Sequence, residues 1–244
     1  MLTNPLTRKL ENFAPLSSED RRFLSELARP DRRVDARTDI IREGDRPNDV
    51  RLVLEGFACR YKILPDGKRH IMAYLVPGDL CDMHVFILKA MDHSIGTLSA
   101  CRVVDIPRPR ILEMLERPAI AQALWWAALV DEATLREWLV NIGRRPAEQR
   151  VGHLLCELLM RLQTVGLTNG NSYELPLTQS DVAETMGLSF VHVNRVLQRL
   201  RASGLITLRS KRLVITDLEA LKVFSEFNPN YLHLGANAET KEPC

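Results

Sequence analysis

Residues 178–201 read TQSDVAETMGLSFVHVNRVLQRLR, and this stretch decides the fold of the C-terminal half of the chain. Thr178 followed three residues later by Asp181 is the signature of a capping box, which begins a short helix. Gly187 stands where a left-handed residue is needed to end that helix. Ser189 then caps a second helix. A short helix, a glycine turn and a second capped helix predict a helix-turn-helix.

The second helix presents polar and methyl-bearing side chains on its exposed face. Its apolar residues, spaced three or four apart, must face the core: Val193, Val196, Leu197 and Leu200. In the first two turns the opposite face lies where the base edges are found when such a helix enters the major groove of DNA. We therefore predict base contacts from the residues of that face: Val191, His192, Asn194 and Arg195.

A two-stranded segment follows the helix-turn-helix directly. Residues 204–208 and 213–216 are short apolar strands, and the sequence Arg-Ser-Lys-Arg at 209–212 forms a basic turn between them. This arrangement is typical of a wing, whose basic tip contacts the phosphates of a nucleic acid. We predict phosphate contacts from four residues: Ser189, Arg199, Lys211 and Arg212.

The charge distribution agrees with a polyanion-binding module at this end of the chain. The whole sequence of 244 residues is nearly neutral, with 33 basic and 31 acidic side chains. Residues 144–216, however, carry ten basic against five acidic side chains. A basic block inside a neutral chain is the footprint expected of nucleic-acid binding, although a solvated basic face has the same composition.

The preceding part of the chain consists of short strands and then a long helix. Residues 33–107 alternate strand-like runs with turns, among them Pro65-Asp-Gly-Lys68, which predicts a hairpin in a small antiparallel barrel or roll. A helix opens at Pro118 and has one face repeating at intervals of four and three residues, the spacing of a two-helix contact. That face predicts a dimer seam of Leu124, Ala128, Asp131, Leu135, Trp138 and Ile142. An ordinary core-facing helix has the same spacing, but the adjacent Trp125 and Trp126 outside the seam favour the dimer.

The order of these elements, from about residue 15 to residue 218, resembles the Crp/Fnr family of bacterial transcription regulators. The turn motifs at 43–45 (Glu-Gly-Asp), 55–56 (Glu-Gly) and 77–80 (Pro-Gly-Asp-Leu) match the family, as does the helix-turn-helix. The resemblance implies an α+β fold: an N-terminal antiparallel β-roll of the double-stranded β-helix or jelly-roll type, a long dimerisation helix and a C-terminal winged helix-turn-helix. The implied boundaries are 1–117 for a cyclic-nucleotide-binding-like sensor, 118–143 for the dimerisation helix, 144–218 for the DNA-binding domain and 219–244 for a tail.

The resemblance also identifies a base-reading arginine. Arg195 stands where family members place an arginine against guanine, and a guanidinium can bond both O6 and N7 of that base. Many members have Glu or Arg where this chain has Phe190 and Val191, and Ser or Gly where it has Asn194. Asn194 can read adenine and Val191 can pack on a thymine methyl group. We expect an operator that differs from those of the best-known members.

The sensor does not match the cyclic-AMP-binding members of the family. They carry a Gly-Glu pair and an Arg-Ser pair that hold the ribose and the phosphate, whereas this chain has Asp82 and Met83 in place of the first pair and no arginine at 91–94. An unpaired Asp82 would repel a phosphate. Iron–sulfur members need clustered N-terminal cysteines, and this chain has none before Cys59. Haem, another small molecule or no effector at all stays open, with a candidate effector pocket of Asp82, Met83, His84, His93 and Ser94.

These observations predict a homodimeric DNA-binding transcription regulator. Its partners would be double-stranded DNA, a second copy of the chain and RNA polymerase, with no membrane, metal or resident cofactor. The alternatives are a regulator that needs haem or a small molecule to bind DNA, and a ligand-binding module that acts on another protein. Enzyme motifs such as a P-loop, G-x-G-x-x-G, G-x-S-x-G or H-E-x-x-H are absent, so no catalytic residue is predicted. The absence of a signal peptide and of clustered cysteines predicts a cytoplasmic location.

Overall fold

The computed structural model describes residues 4–83 and 90–234. The helices are α1 (Pro5–Glu11), α2 (Ser18–Leu27), α3 (Arg108–Leu115), α4 (Pro118–Arg144), α5 (Ala147–Thr164), α6 (Gln179–Met186), α7 (Phe190–Ala202) and α8 (Leu218–Phe224), followed by a 3-10 helix at Pro229–Leu232. The strands are β1 (Arg32–Val34), β2 (Asp39–Ile41), β3 (Asp49–Glu55), β4 (Ala58–Ile63), β5 (Arg69–Leu75), β6 (Ser94–Thr97), β7 (Cys101–Pro107), β8 (Thr168–Asn169), β9 (Ser172–Glu174), β10 (Ile206–Arg209) and β11 (Arg212–Ile215). Within the described ranges, no helix has both the length and the hydropathy needed to cross a bilayer.

The N-terminal half is the predicted antiparallel β-roll. One sheet has the strand order β2-β6-β4-β5, and the other has the order β1-β7-β3. The predicted hairpin joins β4 to β5: the amide of Leu64 donates to the carbonyl of Lys68 at 2.8 Å, and Gly67 adopts a φ of +81°. Alternate side chains of the strands, such as Val53 and Ile95, fill the interior of the roll.

A short N-terminal helix that the sequence did not predict, α1, packs against the side of the roll. The side chain of Asn4 caps it. Leu6 and Leu10 are buried in one apolar cluster with Ile120 and Leu124 of α4. The first turns of α4 therefore lie against α1 and the roll.

Helices α4 and α5 meet at a bend whose inner side is polar and buried. Glu157 of α5 is fully buried and accepts hydrogen bonds from Trp138 Nε1 and from the hydroxyl of Tyr231, each at 2.9 Å. Burial raises the pKa of Glu157, although Arg161 and these two donors oppose the shift. Because Tyr231 belongs to the 3-10 helix, that helix covers this bend.

The C-terminal half surrounds α5 with α6, α7, α8 and a sheet of order β10-β11-β9-β8. The predicted tail, 219–244, is wrong for its first part, because residues 219–234 pack against the C-terminal half. Leu221, Phe227 and Leu232 are buried in the same cluster as the apolar face of α5. Ser225 packs closely on Gly152: a Cβ atom added to Gly152 would lie 3.0 Å from the Cβ of Ser225. The apolar residues of the tail therefore complete the core.

Two glycines with the same backbone conformation separate the effect of strain from that of a clash. Gly56 and Gly67 have φ of +83° and +81°, and a Cβ at Gly56 would lie 2.2 Å from the carbonyl oxygen of Ala100, whereas one at Gly67 meets nothing within 4 Å. We expect Gly67→Ala to lower the free energy of unfolding by about 1–2 kcal/mol, the cost of a left-handed alanine. Gly56→Ala should cost about 1–3 kcal/mol more, because the turn that contains Gly56 must move away from the backbone of Ala100. Urea denaturation measures both, and equal losses would contradict the packing described.

Candidate nucleic-acid interface

The first helix of the helix-turn-helix begins and ends as predicted. The hydroxyl oxygen of Thr178 accepts the amide of Asp181 at 3.1 Å, and the carboxylate of Asp181 accepts the amide of Thr178 at 2.8 Å, which completes the capping box. Gly187 ends α6 with φ of +63°. The two local signals in the sequence therefore fix both ends of this helix.

The recognition helix α7 separates its faces as the sequence predicts. The predicted inner residues Val193, Val196, Leu197 and Leu200 are buried. Val191, His192 and Arg195 are exposed on the opposite face. Ser189 caps the helix, with its hydroxyl oxygen accepting the amide of His192 at 3.2 Å, so its own hydrogen can be donated to another acceptor.

Asn194 is only half-buried, and it contacts a residue that the sequence analysis missed. The Nε2 of Gln179, the first residue of α6, lies 3.5 Å from the Oδ1 of Asn194, a long hydrogen bond. That contact uses the oxygen of the Asn194 amide, so its nitrogen can donate to another acceptor. Gln179 carries no sequence signal of its own, because the contact depends on how α6 and α7 cross.

The wing has its basic side chains at the tip. Strands β10 and β11 pair from Ile206 with Ile215 to Arg209 with Arg212, and the two residues between them, Ser210 and Lys211, both have positive φ. Positive φ at both central residues is the geometry of a tight two-residue hairpin. Lys211 and Arg212 are exposed at this tip, in the position that the phosphate prediction requires.

Arg199 lies on the exposed face of α7 and forms an ion pair with Glu148 of α5. The sequence analysis did not anticipate this partner, because the two residues are far apart in the chain. A phosphate contact from Arg199 would have to share the guanidinium with Glu148 or replace that pair.

The exposed apolar face of α4 lies one residue away from the predicted seam. Leu124 and Trp138 are buried within the protomer, with 2% and 5% of their surface exposed, so these two seam predictions are wrong for this conformation. Their place on the outer face is taken by the neighbours Trp125 and Leu139, which are 71% and 72% exposed. Leu129 is exposed too.

The other predicted seam residues are divided between surface and contacts inside the protomer. Ala128 and Leu135 are exposed, whereas Ile142 is only half-exposed. Asp131 accepts from Arg60 of the roll at 3.4 Å, so it joins the helix to the roll. A strip that begins at Trp125 and repeats by four and three residues passes through Leu129 and Leu139. Leu124 is buried against α1, and Trp138 is buried against Tyr74 of β5 and Glu157 of α5, so packing within the protomer removes these two residues from the surface.

A cavity of about 510 Å³ lies between the roll and α4. Met83 and His93 line it as predicted, together with mostly apolar side chains from α1, β5 and α4. Asp82 and Ser94 do not line it, contrary to the prediction. His84 lies outside the described residues.

Asp82 and Ser94 are turned into the protein instead. Asp82 is fully buried. Its carboxylate accepts a hydrogen bond from the backbone amide of Arg51 at 2.8 Å and lies 3.3 Å from the guanidinium of Arg51. Burial raises the pKa of Asp82 to about 6 against these contacts. Ser94 accepts the amide of Glu43 at 2.9 Å. An unpaired aspartate facing a ligand phosphate is therefore not what the structure shows.

The two basic side chains in the described wall of the cavity already have partners. Lys9 forms an ion pair of 2.6 Å with Asp79, and Arg60 lies 3.4 Å from Asp131. His93 contacts Asp92 at 2.7 Å through Nδ1, and burial lowers the pKa of that imidazole. Among the described residues no cluster of three His, Cys, Asp or Glu side chains is arranged to hold a metal ion.

Comparison with known proteins matches both halves of the chain. Residues 31–118 match the family described as cyclic nucleotide-binding domain, and residues 149–224 match the Crp-like helix-turn-helix domain. The chain is 30% identical to the nitrogen fixation regulation protein FixK of Azorhizobium caulinodans, over 71% of this chain and 70% of that protein. It is also 30% identical to FixK of Bradyrhizobium diazoefficiens, over 82% and 84% of the two chains.

A solved structure has the same arrangement of elements. FixK2 from Bradyrhizobium japonicum superposes with a TM-score of 0.71, at 21% identity, over 80% of this chain and 96% of that one. This likeness supports the fold predicted from the sequence.

Asp82 makes the free energy of unfolding depend on pH in a way that Asp82→Asn removes. Because its folded pKa of about 6 lies above the unfolded value, its stabilising contribution is complete below about pH 4 and is lost as the pH rises through about 6. Relative to the wild type, Asp82→Asn should gain on the order of 1–3 kcal/mol between about pH 4 and pH 7. Urea denaturation at both pH values measures the change, and Asp35→Asn, an exposed aspartate of the roll, controls for the loss of one carboxylate. A difference between Asp82→Asn and wild type that does not grow with pH would contradict the buried position of Asp82.

Proposed function

The chain belongs to the Crp/Fnr family of bacterial transcription regulators, and from that premise we propose that two copies of it bind an inverted-repeat operator. It is a DNA-binding regulator of the helix-turn-helix type. In the proposed complex the two α7 helices enter successive major grooves about 34 Å apart. The observation that carries this proposal is the exposed face of α7, where Val191, His192, Asn194 and Arg195 lie side by side.

The roles of individual side chains follow from the chemistry of the groove. Arg195 is exposed and can donate two hydrogen bonds to guanine, and the amide nitrogen of Asn194 can donate to an acceptor on the next base. Lys211 and Arg212 at the wing, with Ser189 at the start of α7, face the phosphates and set the register of the helix on the duplex. In this proposal the protein acts in the cytoplasm and contacts RNA polymerase when bound to its operator.

The homodimer is proposed to form along the exposed strip of α4. Trp125, Leu129 and Leu139 leave a large apolar area in water, which a second copy of the helix would cover. Glu132 and Arg136 lie between them and pair with each other at 2.5 Å, so the strip carries no net charge there. Two copies related by a two-fold axis would bury the same strip on each.

We also propose that cyclic AMP is not the effector. A cyclic nucleotide needs a cation for its phosphate, and Lys9 and Arg60 in the described cavity wall are each committed to an aspartate. A phosphate would have to break one of these pairs. The apolar lining favours a neutral molecule or no effector.

Introducing a charge on the α4 strip should separate the proposed dimer. Leu129→Glu would place two unpaired carboxylates in the seam, and we expect the dimer dissociation constant to rise on the order of 100-fold. Sedimentation velocity over a range of concentrations measures the change. Leu112→Glu makes the same replacement at an exposed leucine of α3 and should leave the dimer intact. A Leu129→Glu chain that stays as dimeric as this control would contradict the seam.

Selection from a random duplex library, with purified protein and no added ligand, tests the operator. We expect an inverted repeat. Arg195→Ala should lose about 1–3 kcal/mol of discrimination at one base pair of each half-site, because the bidentate contact to guanine disappears. The double variant Lys211→Ala/Arg212→Ala should keep the selected sequence but reduce the dependence of log Kd on log salt by roughly 1 per lost phosphate contact. An unchanged sequence preference in Arg195→Ala would show that α7 does not read the groove as proposed.

A further inference from the structure

The helix-turn-helix is attached to the β-roll by an ionic cluster around one buried carboxylate, which we call the Asp181 clamp: Arg37, Arg69, Asp181 and Glu184. Asp181 is fully buried, and its two oxygens accept from the guanidinium of Arg37 at 2.6 Å and 2.8 Å. Arg69 of β5 donates to the same carboxylate at 2.9 Å and to Glu184 at 2.5 Å. Both arginines belong to the roll, and both acidic residues belong to α6.

The carboxylate of Asp181 is satisfied jointly by Thr178 of its own capping box and by the two arginines of the roll. A bidentate guanidinium fixes the angle of its partner as well as its distance. Burial alone would raise the pKa of Asp181, but hydrogen bonds from Arg37 and Thr178 outweigh it and hold that pKa below its ordinary value. Removal of the arginines would leave the buried carboxylate with the two hydrogen bonds from Thr178 and no positive charge beside it, which weakens the attachment of α6 to the roll.

Neutral contacts support the clamp on both sides of α6. The hydroxyl of Tyr74 on β5 lies 2.5 Å from that of Thr185, and Tyr74 is buried in one apolar cluster with Val182 and Met186 of α6. On the α5 side, Arg161 donates to the carbonyl of Tyr74 at 2.9 Å. The helix-turn-helix is thus held to the roll at several points, besides its covalent connection at the bend between α4 and α5.

We propose that Arg37 and Arg69 are positioning residues that set the spacing between the two halves of the operator. This inference depends on the proposed homodimer. In such a dimer α4 fixes the two rolls relative to each other, and the Asp181 clamp then fixes each α7 relative to its own roll. The two recognition helices therefore have one separation and one mutual rotation. A helix-turn-helix dimer tolerates a change in half-site spacing only if its two recognition helices can move. Each added base pair shifts the second half-site by about 3.4 Å along the DNA and rotates it around the axis of the duplex.

The test measures spacing and sequence separately. Duplexes carry two copies of the half-site that the wild-type chain selects, at the selected spacing and with one or two base pairs added or removed. Fluorescence anisotropy gives Kd for each duplex. We expect the wild type to prefer its spacing by about tenfold or more, and Arg37→Gln/Arg69→Gln to reduce that preference to about threefold or less. The penalty for a mutated half-site should stay the same in both, since α7 itself is unchanged.

A matched variant controls for the lost charge. Arg33→Gln/Arg42→Gln removes two exposed arginines of the roll whose ion pairs, with Asp35 and Asp39, stay within the roll. It should keep the spacing preference of the wild type. If the clamp variant is unstable in circular dichroism, the single change Arg37→Gln, at a side chain that is 41% exposed, takes its place. Arg37→Lys keeps the charge without the bidentate geometry and should give an intermediate preference.

The outcomes distinguish this inference from the function on which it rests. A wild type that selects no inverted repeat overturns the proposed function. A wild type that selects one, together with a folded clamp variant that keeps the full spacing preference, overturns the positioning role of Arg37 and Arg69. A variant that weakens equally on every spacing and on the mutated half-site overturns it too, because that pattern indicates general damage to the reader.

Discussion

The carboxylate of Asp181 is the point on which the arrangement of the two halves depends. It closes the capping box that begins α6, and it also receives both clamp arginines of the roll. One residue therefore determines where the helix-turn-helix starts and how it is oriented on the sensor. A charged group in this position is costly to bury, and the cost is offset only while the three partners Thr178, Arg37 and Arg69 are all in place. The start of α6 and the orientation of the helix-turn-helix on the roll therefore depend on the same side chain.

A second polar junction connects the remaining elements. Asp79, in the Pro-Gly-Asp-Leu turn of the roll, receives Lys9 of α1 and Arg161 of α5 at 2.6 Å and 2.8 Å. Burial would raise the pKa of Asp79, but these two cations hold it below its ordinary value. Arg161 also lies 3.4 Å from Glu157, which carries the contacts to α4 and to the end of the chain. These ion pairs thus link α1 in the cavity wall, the Pro-Gly-Asp-Leu turn of the roll and α5.

Local signals were readable from the sequence, and contacts between distant segments were not. The capping residue Thr178, the turn at Gly187 and the two strands of the wing depend on neighbours within a few residues, and all three were predicted. The wing turn itself is shorter than predicted, with two residues, Ser210 and Lys211, in place of four. The exposed apolar strip of α4 lies one residue away from the predicted seam, because a strip through Leu124 and one through Trp125 have the same period, and only the packing of distant segments on the helix decides which one faces water. Asp82 was predicted to face a ligand. Its partner Arg51 lies on β3, about thirty residues earlier, so no local pattern in the sequence revealed the pair. The ion pairs of Asp181 with the roll span more than a hundred residues of chain and have no local signature.

The distance between the two recognition helices tests the central claim most directly. Spin labels at Gln198→Cys, on the exposed face of α7, can be introduced after Cys244→Ser because Cys59, Cys81, Cys101 and Cys156 are buried. Double electron–electron resonance on the protein without DNA or added ligand should give one narrow distribution, in the range expected for helices about 34 Å apart. A broad distribution would contradict the claim that the roll holds the readers in place. The absence of any dipolar coupling would contradict the homodimer itself.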